Sequence, residues 1–277
     1  MAEIAHALDW PLVEGVVSDL DGVVYRGKTA IQDAVETFQV WRAAGVPYCF
    51  VTNNSTHTAE DVVAKLNGFG LDVTEDNVVT SAVTAARLIR QSYPAGTRIY
   101  VIGAPSLKKA ISDAELEITD EKPSVVIMGL DREITHEKLR IAVDAILKGA
   151  VLMGTNPDLL LPTPTGFEPG AGAILTAVAT AARVKPIIVG KPEIHMIEAA
   201  LARLGTDRAS TLMIGDQIPT DIQAGKRAGL CSVLVTTGVP PVSDPTLKAP
   251  DFIISSLKQI PSARRGGAEA TKGGKNG

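Results

Sequence analysis

Residues 16–27 read VVSDLDGVVYRG, and they set two carboxylates, Asp19 and Asp21, one residue apart where a β-branched run gives way to Gly22. A short β-branched run that ends on polar residues and glycine is the opening of a βα unit. The rhythm continues outward. Over 30–44, Ile31, Ala34, Val35, Phe38 and Trp41 recur at helical spacing and stop at Gly45, a natural C-cap, after which PYCFVT reads as a second strand. Thr58 with Asp61 three residues on resembles a capping box, opening a helix with Val62, Val63, Leu66 and Phe69 that Gly68 and Gly70 end.

The alternation carries on through a helix near 81–91, the strand RIYVIG, the strand SVVIMGL, a helix from Thr135 to Lys148 and the strand AVLMGT. Residues 156–172, NPDLLLPTPTGFEPGAG, are so rich in proline and glycine that they read as a long loop, and loops of that length usually serve function. Order then resumes as AILTAVATAA (helix), PIIVG (strand), EIHMIEAALARL (helix), TLMIGD (strand), DIQAGKRAG (helix) and CSVLVTT (strand). Short strands alternating with helices define an α/β chain with a mostly parallel sheet. The ending SARRGGAEATKGGKNG has no periodicity and reads as a disordered tail at 262–277.

At 277 residues the chain exceeds one typical domain. With 45% hydrophobic and 21% charged residues it has the composition of a folded globular protein. A net charge of −4 gives no reason to expect a nucleic-acid partner, and the apolar runs are far below the roughly 20 residues of a membrane span. The opening MAEIAHALDW lacks the basic start and apolar centre of a secretory signal, so a cytoplasmic location is the expectation. Cys49 and Cys231, each in an apolar run, read as buried free thiols. No histidine set has metal-ligand spacing: His57 reads as a loop residue, His195 as partly packed, His6 and His136 as surface positions.

In an open parallel sheet ligands bind beyond the carboxyl ends of the strands. Four such ends carry polar groups here: Asp19 and Asp21; Thr52, Asn53 and Asn54; Lys191; and Asp216 with Asp221 nearby. Any one alone is more often a turn former or a helix cap. Together they are more informative, because carboxylates converging on one point repel unless a cation sits between them. Hard oxygen ligands suit Mg²⁺, which Asp19, Asp216 and a backbone carbonyl beside Asp21 would hold. Lys191 and the Thr52 hydroxyl would complete a cationic, donor-rich cradle for a phosphoryl group. On this reading one carboxylate of the Asp19–Asp21 pair attacks phosphorus and the other handles protons.

DLDGVVY (19–25), FVTNNS (50–55), VGKP (189–192) and GDQIPTDIQAG (215–225), in this order and spacing, resemble the four motifs of the haloacid-dehalogenase superfamily. The second aspartate of the first motif resembles its phosphatase members, and TNNST, GTNPD and PGAGA resemble the NagD-type branch, whose members include 4-nitrophenyl phosphate, phosphoglycolate and pyridoxal phosphate phosphatases. The resemblance, spanning about Gly15 to Leu257, implies roles residue by residue. Asp19 would be the nucleophile, and Asp21 the general acid and base whose carbonyl also binds metal. Thr52 and the Asn53 amide, with Asn54 and Lys191, would bind the phosphate. Lys191 would also orient the nucleophile, Asp216 would be the remaining metal ligand, and Asp221 would hold Lys191 or metal-bound water. It also implies a Rossmann-like parallel-sheet core, 1–82 and 185–261, with an inserted α/β cap domain at 83–184.

The expected activity is Mg²⁺-dependent hydrolysis of small phosphate monoesters through an aspartyl-phosphate intermediate. A small phosphorylated metabolite would be the substrate, with no nucleic-acid or membrane partner and a homodimer through the cap as an open expectation. Substrate contacts are expected from the cap loops Asp131 to Ile134 and Leu160 to Glu168. The chain departs from common family residues at His57 and Gln217. Rival readings stay open: a phosphomutase or phosphotransferase of the same superfamily, and a non-catalytic Mg²⁺-dependent phosphoryl-accepting regulator, against which length and Asp21 argue. The glycines of PGAGAILTAVA lack the last position of a dinucleotide fingerprint, and no Walker motif occurs.

Overall fold

The computed structural model describes residues 10–163, 166–238 and 244–261. The expected tail at 262–277 and His6 lie outside the described residues. In chain order, β1 (Gly15–Ser18) leads to a small hairpin, β2 (Tyr25–Arg26) and β3 (Thr29–Ala30), then α1 (Gln32–Ala44), β4 (Tyr48–Thr52), α2 (Ala59–Gly68) and β5 (Val78–Thr80). A second group follows: α3 (Ser81–Ser92), β6 (Arg98–Ile102), α4 (Pro105–Asp113), β7 (Glu117–Ile118), β8 (Val125–Met128), α5 (His136–Leu147), β9 (Val151–Gly154), β10 (Leu160–Thr163), β11 (Gly166–Pro169), α6 (Ala171–Ala182) and β12 (Ile187–Ile188). The chain closes with α7 (His195–Leu204), β13 (Thr211–Gly215), α8 (Gln223–Ala228), β14 (Cys231–Val235) and β15 (Phe252–Ile254).

The first and last groups build one six-stranded sheet in the order β15-β14-β13-β1-β4-β5, parallel throughout. Successive side chains of a strand face opposite sides, and here both sides are apolar. Val16, Phe50, Leu212 and Ile214 pack with Phe38 and Trp41 of α1 and Leu66 of α2. Their neighbours Val17, Cys49, Val51 and Met213 pack with Met196, Ile197 and Ala200 of α7 and Ala224 of α8. Phe38 meets Trp41 and Phe50 edge-on, at ring centroid separations of 5.1 and 4.9 Å. Deleting such a buried ring typically costs about 3–5 kcal/mol.

The inserted group has its own five-stranded parallel sheet, β12-β9-β8-β6-β7, and is layered in the same way. Ile99, Val101, Val125 and Ile127 face α3 and α4, while Ile102, Val126, Met128 and Leu152 face α5 and α6. Two expectations are corrected here. Residues 156–172 are not one irregular loop: β10 and β11 pair antiparallel with Leu160 opposite Pro169 and Pro162 opposite Phe167, and α6 begins at Ala171. An isolated two-stranded ribbon leaves one row of backbone amides without a ladder partner, so it tolerates prolines that a central strand would not. Residues 164–165 lie outside the described residues. The strand Ile187–Ile188, read as part of the first sheet and placed beyond the boundary at 185, instead pairs with Met153 and Gly154 at the edge of the second.

Smaller readings resolve similarly. Thr58 and Asp61 form the capping box, and Gly45 caps α1 in the left-handed conformation. Both cysteines are free, Cys49 buried and Cys231 only half-buried; burial pushes the Cys49 thiol up to about 12, so it is inert. His195 is half-buried, and His57 and His136 are exposed. Gly170 and Gly172 let the start of α6 lie against the carbonyls of Asp158 and Pro157, a packing use for the glycines of PGAGA. Among the described residues, no helix is long and apolar enough to cross a membrane.

Candidate active site

β1 lies between β13 and β4, so the chain leaving its carboxyl end emerges between those leaving its two neighbours. Ligands bind at such crevices in open α/β sheets. Asp19 follows β1 directly, and its amide donates to the Ile214 carbonyl at 2.8 Å, tying it to β13. Asp216 follows β13, Thr52 ends β4, and Lys191 follows β12 of the second sheet. All four are at least nine-tenths buried.

Lys191 is the centre of the cluster. Its ammonium donates to Asp19 Oδ1 and to the Val51 carbonyl at 3.2 Å, and it forms an ion pair with Asp221 Oδ1 at 2.7 Å. Burial alone would depress its proton affinity, but Asp19 and Asp221 outweigh burial and hold it above the ordinary lysine range. Asp19 feels the opposite balance: burial pushes its carboxyl well up, Lys191 pulls it down, and Asp221 and Asp216 push it up again.

Asp221 sits in a π-helical turn, Ile218–Ile222, that precedes α8. Its second oxygen accepts from the Gln217 amide at 3.0 Å, so both oxygens are engaged, one by Lys191 and one by backbone. Gly215 makes room for it, because a Cβ there would collide with the Asp221 side chain.

Asp19, Asp216 and Asp221 each offer a carboxylate oxygen, all within 4.8 Å of one another. Three buried carboxylates against one ammonium leave net negative charge, and an all-oxygen donor set is what a hard divalent cation such as Mg²⁺ binds. The cluster therefore fits a divalent metal, with Asp19 and Asp216 the carboxylates facing it once Asp221 is committed to Lys191. The Asp21 carboxylate is not in this cluster.

Asp21 is exposed at the rim. Tyr25 Oη lies 3.4 Å from Asp21 Oδ2, and the Lys65 ammonium stacks 3.3 Å above the Tyr25 ring. Burial on its protein side raises the Asp21 carboxyl, while Lys65 and the Tyr25 hydroxyl pull the other way. The turn between the two carboxylates and Tyr25 needs glycine: Gly22 has φ +81°, and a Cβ there would collide with the Asp216 carboxylate.

Thr52 Oγ1 accepts from the Asn54 amide at 3.1 Å, which leaves the hydroxyl proton free to point elsewhere. Asn54 is exposed, its side-chain oxygen taken by Thr56. The Asn53 side chain faces Lys191 and the insert: it bonds both backbone groups of Lys191 and approaches Asp158. Asp131 to Ile134 and Leu160 to Glu168 meet each other through Arg132 and Glu168 at 3.1 Å, and Asp131 is paired with Lys138 at 2.7 Å. Tyr25, Lys65 and the Val51 carbonyl were not foreseen. Their positions depend on contacts across the fold, as do those of Asn156 and Asp158, which the branch resemblance of GTNPD did not single out.

Comparison with known proteins places this geometry. A family model described as haloacid dehalogenase-like hydrolase matches residues 16–117, and a second HAD-hydrolase-like model matches 188–260. The 5'-nucleotidase YutF of Bacillus subtilis is 38% identical over 248 residues, covering 89% of this chain and 96% of its own. An acid sugar phosphatase of Staphylococcus aureus is 39% identical over 227 residues, covering 82% and 87%. Among solved structures, a thermostable NPPase double mutant from Geobacillus stearothermophilus superposes with a TM-score of 0.84 at 40% identity, covering 90% of this chain and 98% of that one. NagD from E. coli K-12 superposes with 0.81 at 31% identity, covering 91% and 99%. The chain belongs to the haloacid dehalogenase-like hydrolases, as an α/β phosphatase of their NagD-type branch.

Proposed function

We propose that the protein hydrolyses small phosphate monoesters through an aspartyl-phosphate on Asp19, with Mg²⁺ as cofactor. The observation that carries this reading is the Lys191 ammonium held between Asp19 and Asp221 at the end of the central strand, beside a third carboxylate, Asp216. Asp19 and Asp216 would hold the cation, with the backbone beside Asp21, and when bound it would offset the charge of the phosphoryl oxygens.

The chain's own groups account for the steps. An Asp19 oxygen forms a bond to phosphorus as the ester P–O bond breaks, and Asp21, beyond the cluster and braced by Tyr25, gives its proton to the departing alkoxide. Water then attacks phosphorus, Asp21 takes the proton back, and the bond from phosphorus to Asp19 breaks to release phosphate. Lys191 favours the ionised form of Asp19 against burial and neutralises charge on the transferring group, and the Thr52 hydroxyl and the Asn53 amide donate to its oxygens. The insert would close over the site and choose the leaving group, its loops at Asp131 to Ile134 and Leu160 to Glu168 acting as one unit through Arg132 and Glu168.

The test is phosphate release from nucleoside monophosphates, sugar phosphates and 4-nitrophenyl phosphate, with Mg²⁺ and with chelator. Mg²⁺-dependent release supports the reading, and the best substrate defines the class. Release only when a bisphosphate activator is present would move the assignment to a mutase.

A further inference from the structure

Asn53 stands directly after Thr52, where the family pattern uses its backbone amide, yet its side chain is spent on something else. Its Oδ1 accepts from the Lys191 amide at 2.8 Å and its Nδ2 donates to the Lys191 carbonyl at 3.0 Å. A carboxamide that meets both the N–H and the C=O of one residue fixes that residue in position and in rotation, as a strand partner would. Nδ2 also reaches Asp158 Oδ2 at 3.4 Å. The Asn53 carbonyl is fastened in turn by Ser81 Oγ and by Asn156 Nδ2, each at 2.9 Å. Gly190 is needed for this approach, because a Cβ there would meet Asn53 Oδ1 and the Thr155 carbonyl.

The need for such a clamp follows from the topology. Lys191 must reach Asp19 on the first sheet, but the strand preceding it, β12, is a two-residue edge strand of the second sheet. No ladder hydrogen bond ties the Lys191 backbone to β1 or β4. Asn53 supplies the missing tie, joining the end of β4 to the residue that holds the nucleophile.

We infer that the Asn53 carboxamide is a positioning group for Lys191, setting the ammonium against Asp19 and Asp221 and linking its placement to the insert through Asp158. This rests on the phosphatase reading for its kinetic consequences, but not for its geometric one. Loss of the clamp frees the Lys191 backbone, so catalysis falls because the ammonium is misplaced, while the other groups that contact substrate stay where they are.

The test uses Asn53→Ala and the near-isosteric Asn53→Asp, which keeps an acceptor for the Lys191 amide but loses the donor. Both are measured in the full chain, alone and with Lys191→Ala, after thermal melts show the variants folded at assay temperature. The expected result is a kcat at least about tenfold lower with KM within about threefold, and less than a twofold further effect of Asn53→Ala once Lys191 is gone, as coupled residues require. A kcat within twofold of wild type in both variants, or equal losses with and without Lys191, overturns the inference. If Asn53→Ala does not fold, Asn53→Asp decides by the same criteria. A crystal structure of either variant separates this from the functional reading: Lys191 displaced from Asp19 upholds the clamp even if no ester is hydrolysed, and Lys191 unmoved refutes it even if activity is lost.

Discussion

Lys191 Nζ lies 2.7 Å from Asp221 Oδ1 while also bonded to Asp19, and the side chains of Lys191 and Asp221 are 2% and 1% exposed. Removing one member of a buried ion network leaves the others as uncompensated charges, which typically costs about 3–5 kcal/mol. Lys191→Ala is therefore expected to lose about that much stability in urea denaturation without metal, along with its catalysis. A loss within about 0.5 kcal/mol would mean that water reaches the carboxylates and the network is not sealed.

Gly22 and Gly27 form a matched pair. Both have positive φ, +81° and +57°, but a Cβ at Gly22 would collide with Asp216, whereas at Gly27 it would meet nothing within 4 Å. Gly27→Ala should cost only the strain of a left-handed alanine, about 1 kcal/mol. Gly22→Ala should cost more and should weaken Mg²⁺ binding, read by calorimetry. Equal behaviour of the two variants would show that Asp216 has room to move.

Burial raises the Asp158 carboxyl above its ordinary range, against the opposing pull of the Asn53 amide and of Lys191. A group whose folded pKa is raised contributes stability below its unfolded pKa, and that contribution is lost as pH rises through the folded value. Once ionised, Asp158 is thus a burden on the fold. Asp158→Asn retains an acceptor toward Asn53, so it should melt higher than wild type at neutral pH, the gap closing below the normal carboxylate range. A gap that instead widens in acid would mean that the Asn53 and Lys191 interactions outweigh burial.

Much of this was legible from the sequence because it is local. The strand at Val16 and Val17, the capping box at Thr58 and the polar strand ends at Asp19, Thr52 and Asp216 each announce themselves within a few residues, and parallel βα order brings such ends together. What was not legible depends on pairing at a distance. Nothing in PIIVG states which sheet Ile187 will join, since any short apolar strand satisfies either edge. Pro162 and Pro169 read as breakers because the ribbon that tolerates them exists only once β10 meets β11. The clamp of Asn53 on Lys191 spans 138 positions, and asparagine after a strand has the same local signature whether it caps a turn or grips a distant backbone.

The central claim is that Asp19 becomes covalently phosphorylated. The most direct measurement is borohydride quenching of the enzyme during turnover of its best phosphate monoester with Mg²⁺, followed by mass spectrometry of the peptides that span residues 16–27 and Asp216. The account predicts reduction of the acyl phosphate at Asp19 to homoserine, present only with substrate and absent in Asp19→Asn. Turnover with no reduced residue, or with reduction at Asp21 or Asp216 instead, would contradict it.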